Sequence, residues 1–298
     1  MKWIDYENAK TVDEAVKILS QSGGKARPMA GGTDLIVQLR VKDPRVDADV
    51  VVNVKDIPEL NELSYSADKG LTIGAAVPCH EIYNDANVIA HYSALIDSAS
   101  LIGGTQIQGR ASLGGNLCNA APSGDSIPNL VAHNGVATLA GPNGTREVAV
   151  EDVCTGPRQT CIGKDEILVS INLPNPGDGF GANYIRFIPR NEMDIAIVGV
   201  GASVTLDKSH KYIEDARISL SAVAPTPIFA KDASQLLCGK EIGTNSILEA
   251  SEAVKNAISP ISDMRGSIDQ RINLAGGLTR RALETAISRG VVKSSVAF

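Results

Sequence analysis

Gly31 and Gly32 stand side by side in the stretch Pro28-Met29-Ala30-Gly31-Gly32-Thr33-Asp34-Leu35 of this 298-residue chain. A strand-like run leads into the pair and a helical run leads out. Two adjacent residues without Cβ let a bulky group approach the backbone closely. The amides of Gly31, Gly32 and Thr33 are then available to an anion, and Asp34 opens a helix whose first amides favour negative charge. A tight strand-to-helix turn has the same composition, so the stretch alone leaves both readings open.

A second glycine pair resolves part of this ambiguity. Ser112-Leu113-Gly114-Gly115-Asn116 is another double glycine, preceded by a hydroxyl and followed by an amide. Two such loops on successive α/β units can face each other across a ligand with a long, doubly charged linker, the shape of a dinucleotide. Hydrogen bonds to a charged group contribute roughly 1.5–3 kcal/mol each, so several amides can offset the desolvation of a diphosphate without lysine. Asp125 is placed either to accept from ribose hydroxyls or to lie solvated in a loop.

The surrounding patterns assign the frame. Thr11-Val12-Asp13-Glu14 reads as a capping box, opening a helix with Val12, Ala15, Val16 and Leu19 on one face and Gly23-Gly24 at its end. Residues 26–30 predict a strand, 35–39 a helix and 50–54 a β-branched strand. Residues 70–77 predict a strand, and 93–102 a buried helix with Ala94, Leu95, Ala99 and Ile102 on one face. The small, polar run 106–125 suits neither helix nor strand and is expected as an irregular functional loop. Residues 136–150 predict a hairpin turning at Gly141-Pro142-Asn143-Gly144, and 167–173 one more strand.

Pro174-Asn175-Pro176-Gly177-Asp178-Gly179 then marks a boundary. It divides the chain into domains 1–176, with subdomains about 1–57 and 58–176, and 177–298. Beyond it, strands over 195–206 and 217–223 and helices over 246–258 and 268–289 predict a helix packed on a sheet.

Composition removes several classes of function. The net charge is −6 with no basic run, and aromatics make up 4% of residues, so a nucleic-acid partner is not expected. No run is long and apolar enough for a transmembrane segment. Met1-Lys2-Trp3-Ile4-Asp5 lacks the apolar core of a signal peptide, so the expected location is cytoplasmic. Cys79, Cys118, Cys154, Cys161 and Cys238 are scattered, odd in number and without a Cys-x-x-Cys pair. They predict neither a disulfide framework, a zinc site nor an iron–sulfur site, and fit a reducing cytoplasm.

The reactive side chains form no recognisable set. His80, His91, His133 and His210 have no metal-ligand spacing, and no Ser/His/Asp group stands out. Cys118 lies inside the second loop and reads either as a neighbour of a ligand or as a small buried apolar residue. Gly199-Val200-Gly201 lacks the third glycine and the helix opening of a Rossmann fingerprint, and there is no Walker loop. No catalytic residue and no metal ligand is assigned, and chemistry at this chain is expected from a bound cofactor.

The combination resembles a known family. Ala30-Gly31-Gly32-Thr33-Asp34-Leu35, Ser112-Leu113-Gly114-Gly115-Asn116 and Asp125 are similar to the FAD-binding medium subunit of molybdenum hydroxylases, of the xanthine dehydrogenase and carbon monoxide dehydrogenase flavoprotein type. Ile73-Gly74-Ala75, Asp165-Glu166-Ile167-Leu168, Tyr184-Ile185-Arg186-Phe187, Asp194-Ile195-Ala196, the run Pro260 through Ser267 and Arg280-Arg281-Ala282-Leu283 follow in the family's order. The resemblance implies an α+β fold, with a two-subdomain vanillyl-alcohol-oxidase (PCMH)-type FAD-binding domain and a small α/β C-terminal domain of the CO dehydrogenase flavoprotein type.

Roles follow from the resemblance residue by residue. Pro28 through Leu35 would wrap one side of the FAD diphosphate and Ser112 through Asn116 the other. Asp125 would bind the adenosine portion and Leu168 would lie against the ring system. Arg186 stands where relatives can carry a lysine near the flavin's pyrimidine edge, and Ile102 where some carry a phenylalanine beside FAD. Gln270 replaces a tyrosine common after the Arg265-Gly266-Ser267 signature, and no iron–sulfur insertion is present.

The implied function is an electron-transfer subunit. It would take electrons from a 2Fe-2S small subunit, itself supplied by a molybdopterin-binding large subunit, and pass them from FAD to NAD or another acceptor. The expected assembly is a heterotrimer that dimerises. Two alternatives stand beside it: a stand-alone FAD-dependent reductase or oxidase on the same fold, and a scaffold subunit without flavin.

Overall fold

A computed structural model describes residues 3–295 of the chain. Residues 1–2 and 296–298, the extreme ends of the two expected domains, lie outside the described residues.

The first unit is a small parallel sheet with one covering helix. Strands β1 (Asp5–Asn8), β2 (Ala26–Met29) and β3 (Val50–Asn53) pair in the order β1-β3-β2, both pairings parallel. Parallel neighbours require crossovers, and the helix Val12–Gln21 supplies the first. Thr11 caps it, accepting from the Glu14 amide at 3.1 Å, and Glu14 reaches back to the Lys10 amide at 2.7 Å, one residue beyond the usual box partner. Ala15, Val16 and Leu19 face the core. The connection from β2 to β3 carries Gly31-Gly32 and the exposed helix Leu35–Arg40.

The second unit is an antiparallel sheet. Strands β4 (Leu63–Ser66), β5 (Gly70–Gly74), β6 (Val136–Gly141), β7 (Gly144–Ala149) and the later β10 (Ile167–Leu173) pair in the order β4-β5-β10-β6-β7. Gly141 faces Gly144 across the expected hairpin turn. A two-stranded ribbon, β8 (Cys154–Gly156) and β9 (Gln159–Thr160), lies between β7 and β10 in the chain. The core of these two units joins Leu19, Val52, Ile73, Leu95, Leu117 and Leu139 with their neighbours.

Two expectations here need correction. The helix expected over 93–102 ends at Ala99, so Ile102 lies beyond it. The run 106–125 is also not irregular throughout: Thr105–Gln108 and Leu113–Asn119 are helical. Ser112 caps the second, accepting from the Gly115 amide at 3.0 Å, and Leu113 and Leu117, one turn apart, are fully buried. Capping and burial together offset the helix cost of Gly114-Gly115.

The last third has its own sheet and core. Strands β11 (Phe180–Phe187), β12 (Val198–Leu206), β13 (Ile213–Ser221) and β14 (Ile228–Phe229) form an antiparallel sheet in chain order. The strand β11 was not among those read in the sequence, β12 starts later than expected and β13 earlier. The helix Ile268–Ser295 covers this sheet; of the face expected from the spacing of Ile268, Ile272, Ala275, Thr279, Ala282 and Ala286, the last four are buried, whereas Ile268 is exposed and Ile272 half-buried. Its approach is close, because a Cβ on Gly181 would fall 1.9 Å from the Ala286 carbonyl oxygen.

Polar contacts, most of them part-buried, join the two cores. Asp97 accepts from Asn183 Nδ2 at 2.8 Å and from Arg289 Nη1 and Nη2 at 2.5 and 3.0 Å. Ser203 donates to the Ala132 carbonyl at 2.6 Å, and Arg217 donates to the Val131 carbonyl and pairs with Glu151.

Candidate functional site

The two glycine segments meet at a cavity of about 420 Å³ whose lining comes from both of the first two units. Strand β2 ends in Met29, and the chain turns through Ala30, Gly31 and Gly32 before the helix at Leu35 begins. Gly32 has φ +74°, a conformation that a side chain disfavours, which explains glycine there. Gly31 has a different reason. A Cβ on it would lie 1.8 Å from the carbonyl oxygen of Arg110, so this loop rests backbone to backbone on the segment leading into the second glycine pair. Gly114 repeats the device: its Cβ would fall 2.5 Å from the Ala75 carbonyl oxygen. The missing side chains therefore let protein segments touch one another.

That packing leaves polar hydrogen atoms at the cavity. Among the described residues, the amides of Gly31, Gly32, Thr33 and Asp34, and those of Leu113 and Gly114 in the first turn of their helix, donate to no acceptor in the chain. Buried or half-buried amides are almost always paired, so this concentration marks a place for an external acceptor. The Ser112 hydroxyl lies beside them, and Ile102 and Leu168 add apolar wall.

Charge at the rim is mixed. Desolvation pushes the Asp34 carboxyl above its usual range, opposed by the Arg158 guanidinium, although Asp34 keeps an exposed edge. Arg158 comes from the β8–β9 turn with φ +57°; its amide donates to the Ala120 carbonyl and its Nη1 to Asn119 Oδ1, both at 2.9 Å. Glu166 is held by a two-pronged Arg146 fork at 2.7 Å and by the Gly163 amide, and the fork draws its carboxyl below the usual range. Arg27, Arg45 and Lys164 complete the cations of the lining. Cys118 also lines it, and desolvation, aided by Cys154, pushes its thiol up to about 12. Cys118 nonetheless keeps an exposed surface.

The structure gathers most of the expected residues. Pro28, Met29, Ala30, Gly31, Gly32, Thr33, Asp34, Leu35, Ile102, Ser112, Gly114, Gly115, Asn116 and Leu168 all line the cavity. Leu113, Asp125 and Arg186 do not. Leu113 is core. Asp125 is neither a solvated loop residue nor open to the cavity: it accepts from Tyr184 Oη at 2.7 Å and from Arg186 Nη1 at 2.5 Å. Burial pushes its carboxyl up against the pull of both partners. Arg186 Nε is buried without a partner among the described residues. This pair sits one hydrogen bond behind the cavity wall, since Ser126 Oγ donates to Asn116 Oδ1 at 2.7 Å.

Arg158, Lys164 and Gln38 are lining residues that the sequence did not single out, and Glu166 stood in a motif there without a role. Only Arg158 carries a local mark, its left-handed turn, and Arg-Gln after Gly156-Pro157 does not announce it. No cluster of potential metal ligands occurs among the described residues.

Comparison with known proteins matches the chain along most of its length. Residues 2–176 match the FAD-binding domain found in molybdopterin dehydrogenases, and 183–286 match the CO dehydrogenase flavoprotein C-terminal domain. The xanthine dehydrogenase FAD-binding subunit of Escherichia coli O157:H7 is 30% identical over 95% of this chain and 96% of its own. The carbon monoxide dehydrogenase medium chain of Afipia carboxidovorans is 32% identical over 96% and 97%. A solved carbon monoxide dehydrogenase from Hydrogenophaga pseudoflava superimposes with a TM-score of 0.91 at 28% identity, covering 97% of this chain and 98% of that one. With family models spanning both cores and relatives matched along nearly their full length, the chain belongs to the FAD-binding medium subunits of the molybdenum hydroxylase family, oxidoreductases of the xanthine and carbon monoxide dehydrogenase type.

Proposed function

We propose that this chain binds FAD across the Gly31-Gly32 and Gly114-Gly115 segments and serves as the electron exit of a molybdenum hydroxylase complex. The observation that carries this reading is the convergence of unpartnered amides from both segments on one cavity. The residues present fit the cofactor: the glycine contacts hold the first segment against the approach to the second, and the acceptor the amides lack would be supplied by a diphosphate.

The roles of the chain's own residues follow. The amides of Gly31, Gly32, Thr33 and Gly114, with the Thr33 and Ser112 hydroxyls, bind the diphosphate. Ile102 and Leu168 exclude water on the apolar side. Leu113 fixes the second segment through the core. Asp125 and Arg186 act from behind it, Asp125 through its neighbour Ser126, which holds Asn116 in place. FAD, when bound, supplies the redox chemistry, accepting electrons and passing them on singly or as hydride. No acid or base of this chain is needed for substrate.

The same reading extends to the assembly. Electrons arrive from a 2Fe-2S small subunit, fed by a molybdopterin-binding large subunit, within a heterotrimer that dimerises. NAD or another acceptor removes them, and the complex works in the cytoplasm. Residues 1–176 form the FAD-binding domain and 177–298 the C-terminal domain. Among the described residues, no helix is long and apolar enough to cross a membrane.

Purified protein tests the proposal. The expected result is a yellow protein that releases FAD on denaturation and co-purifies with a molybdopterin subunit. A colourless preparation that neither releases flavin nor takes up added FAD refutes it. Bleaching by NADH in the isolated subunit supports NAD as the acceptor, and no bleaching assigns that role to another acceptor.

A further inference from the structure

We infer that Arg110 is a positioning residue that locks the Gly31–Gly32 peptide in the orientation able to bind diphosphate. The inference rests on the FAD reading above. Arg110 does not line the cavity, so a direct contact with the cofactor is not its role. It holds Gly31 from two sides instead. Its carbonyl oxygen occupies the space where a Gly31 Cβ would be, and its Nε donates to the Gly31 carbonyl at 3.1 Å.

The consequence is geometric. In a planar trans peptide the carbonyl of one residue and the amide N–H of the next point in opposite directions. Drawing the Gly31 carbonyl toward Arg110 therefore turns the Gly32 N–H away from it. That N–H has no acceptor in the chain, and Gly32 lines the cavity. With glycine on both sides of this peptide, no Cβ opposes a flip that would present the carbonyl oxygen where the N–H now lies. A carbonyl there would repel a diphosphate. The guanidinium is the one group among the described residues that accounts for the orientation by bonding the Gly31 carbonyl.

Arg110 itself is anchored. Its amide donates to the Ile107 carbonyl at 2.9 Å, and the next residue, Ala111, accepts from the Cys79 amide at 2.8 Å. The clamp thus links the first glycine segment to the frame of the second and sets their separation as well as the direction of one amide.

Arg110→Met and Arg110→Lys test this in the purified, flavin-stripped chain. Arg110 is exposed and its side chain makes a single hydrogen bond, so both variants are expected to fold with unchanged melting temperature. Binding of FAD, ADP and riboflavin is measured by fluorescence and calorimetric titration. Arg110→Met is expected to weaken FAD and ADP by about tenfold to a hundredfold, the loss of one hydrogen bond to a charged group, while riboflavin, which has no phosphate, binds as before. Arg110→Lys, which can still donate to the carbonyl, recovers most of the loss. Unchanged FAD affinity in Arg110→Met overturns the inference, as does an equal loss for all three ligands. A wild-type chain that binds no FAD refutes the functional reading instead, so the two failures are distinguishable.

Discussion

Replacing Gly31 with alanine probes the loop contact most directly. The new methyl group would stand 1.8 Å from the Arg110 carbonyl oxygen and 2.5 Å from its carbon, far inside the 3.4 Å at which ordinary contact begins. Both obstructing atoms are backbone, so no rotamer change relieves the clash and the two segments must separate. Overpacking typically costs ~1–3 kcal/mol, and a backbone obstruction falls at the upper end of that range. Separation also draws amides away from the diphosphate. Losing two of these bonds, at ~1.5–3 kcal/mol each, lowers FAD affinity on the order of a hundredfold to ten-thousandfold. The assay pairs the flavin-to-protein absorbance ratio of the purified variant with FAD titration of the stripped protein and its melting temperature. Full flavin content at an unchanged melting temperature would show that the segments do not meet as described, and the argument from the glycine contacts would fail.

Further outcomes follow from the same geometry. Gly114→Ala places a methyl 2.5 Å from the Ala75 carbonyl oxygen and should lower flavin content through the second segment; wild-type content would contradict it. Gly32→Val adds a branched side chain at φ +74°, costing ~1–2 kcal/mol in backbone strain, and should abolish FAD retention with most of the fold intact on circular dichroism. Glu166 has a carboxyl held below its free value of 4.5, so its ion-pair contribution is whole above about that pH and is lost as pH falls through the lower, folded value. The melting-temperature gap between wild type and Glu166→Gln should accordingly close on acidification; a gap constant with pH would exclude the pair as its source. Arg271, buried and bonded to the Ile197 and Ala222 carbonyls and to Asp263, should cost ~3–5 kcal/mol as Arg271→Met in chemical denaturation, and a change under 1 kcal/mol would disprove its structural role.

What could be read before the structure was chiefly local. The Thr11 cap and the Gly141–Gly144 hairpin are each written within a few residues and form as the pattern predicts, and the apolar face of the last helix does so from Ala275 onward. The helix at Leu113–Asn119 was hidden because propensity argues against Gly114-Gly115, whereas the Ser112 cap and the burial of Leu113 and Leu117 decide the outcome. The cavity was legible as two glycine pairs, but the reason for Gly31 and Gly114 was not. Their empty space is filled by the carbonyls of Arg110 and Ala75, which only the tertiary arrangement brings there. Asp125 shows the same limit. Its partners Tyr184 and Arg186 lie 59 and 61 residues away, on a strand the sequence reading missed. Arg158 reaches the rim because a ribbon folds back on Ala120, a contact with no pattern of its own.

The polar contacts between the two cores also bear on how such subunits can be recombined. Asp97 and Arg289 are 192 residues apart, and they meet at the same seam that joins Asp125 to Tyr184 and Arg186. A chimera that takes residues 1–176 from one relative and the remainder from another would inherit both flavin-binding segments from a single parent. It would still have to match carboxylates on one side with guanidinium and hydroxyl donors on the other. A mismatched crossover would strand a charge in the seam, so successful domain exchange is restricted to parents that share both carboxylate sets and their donors, whatever their similarity around the flavin.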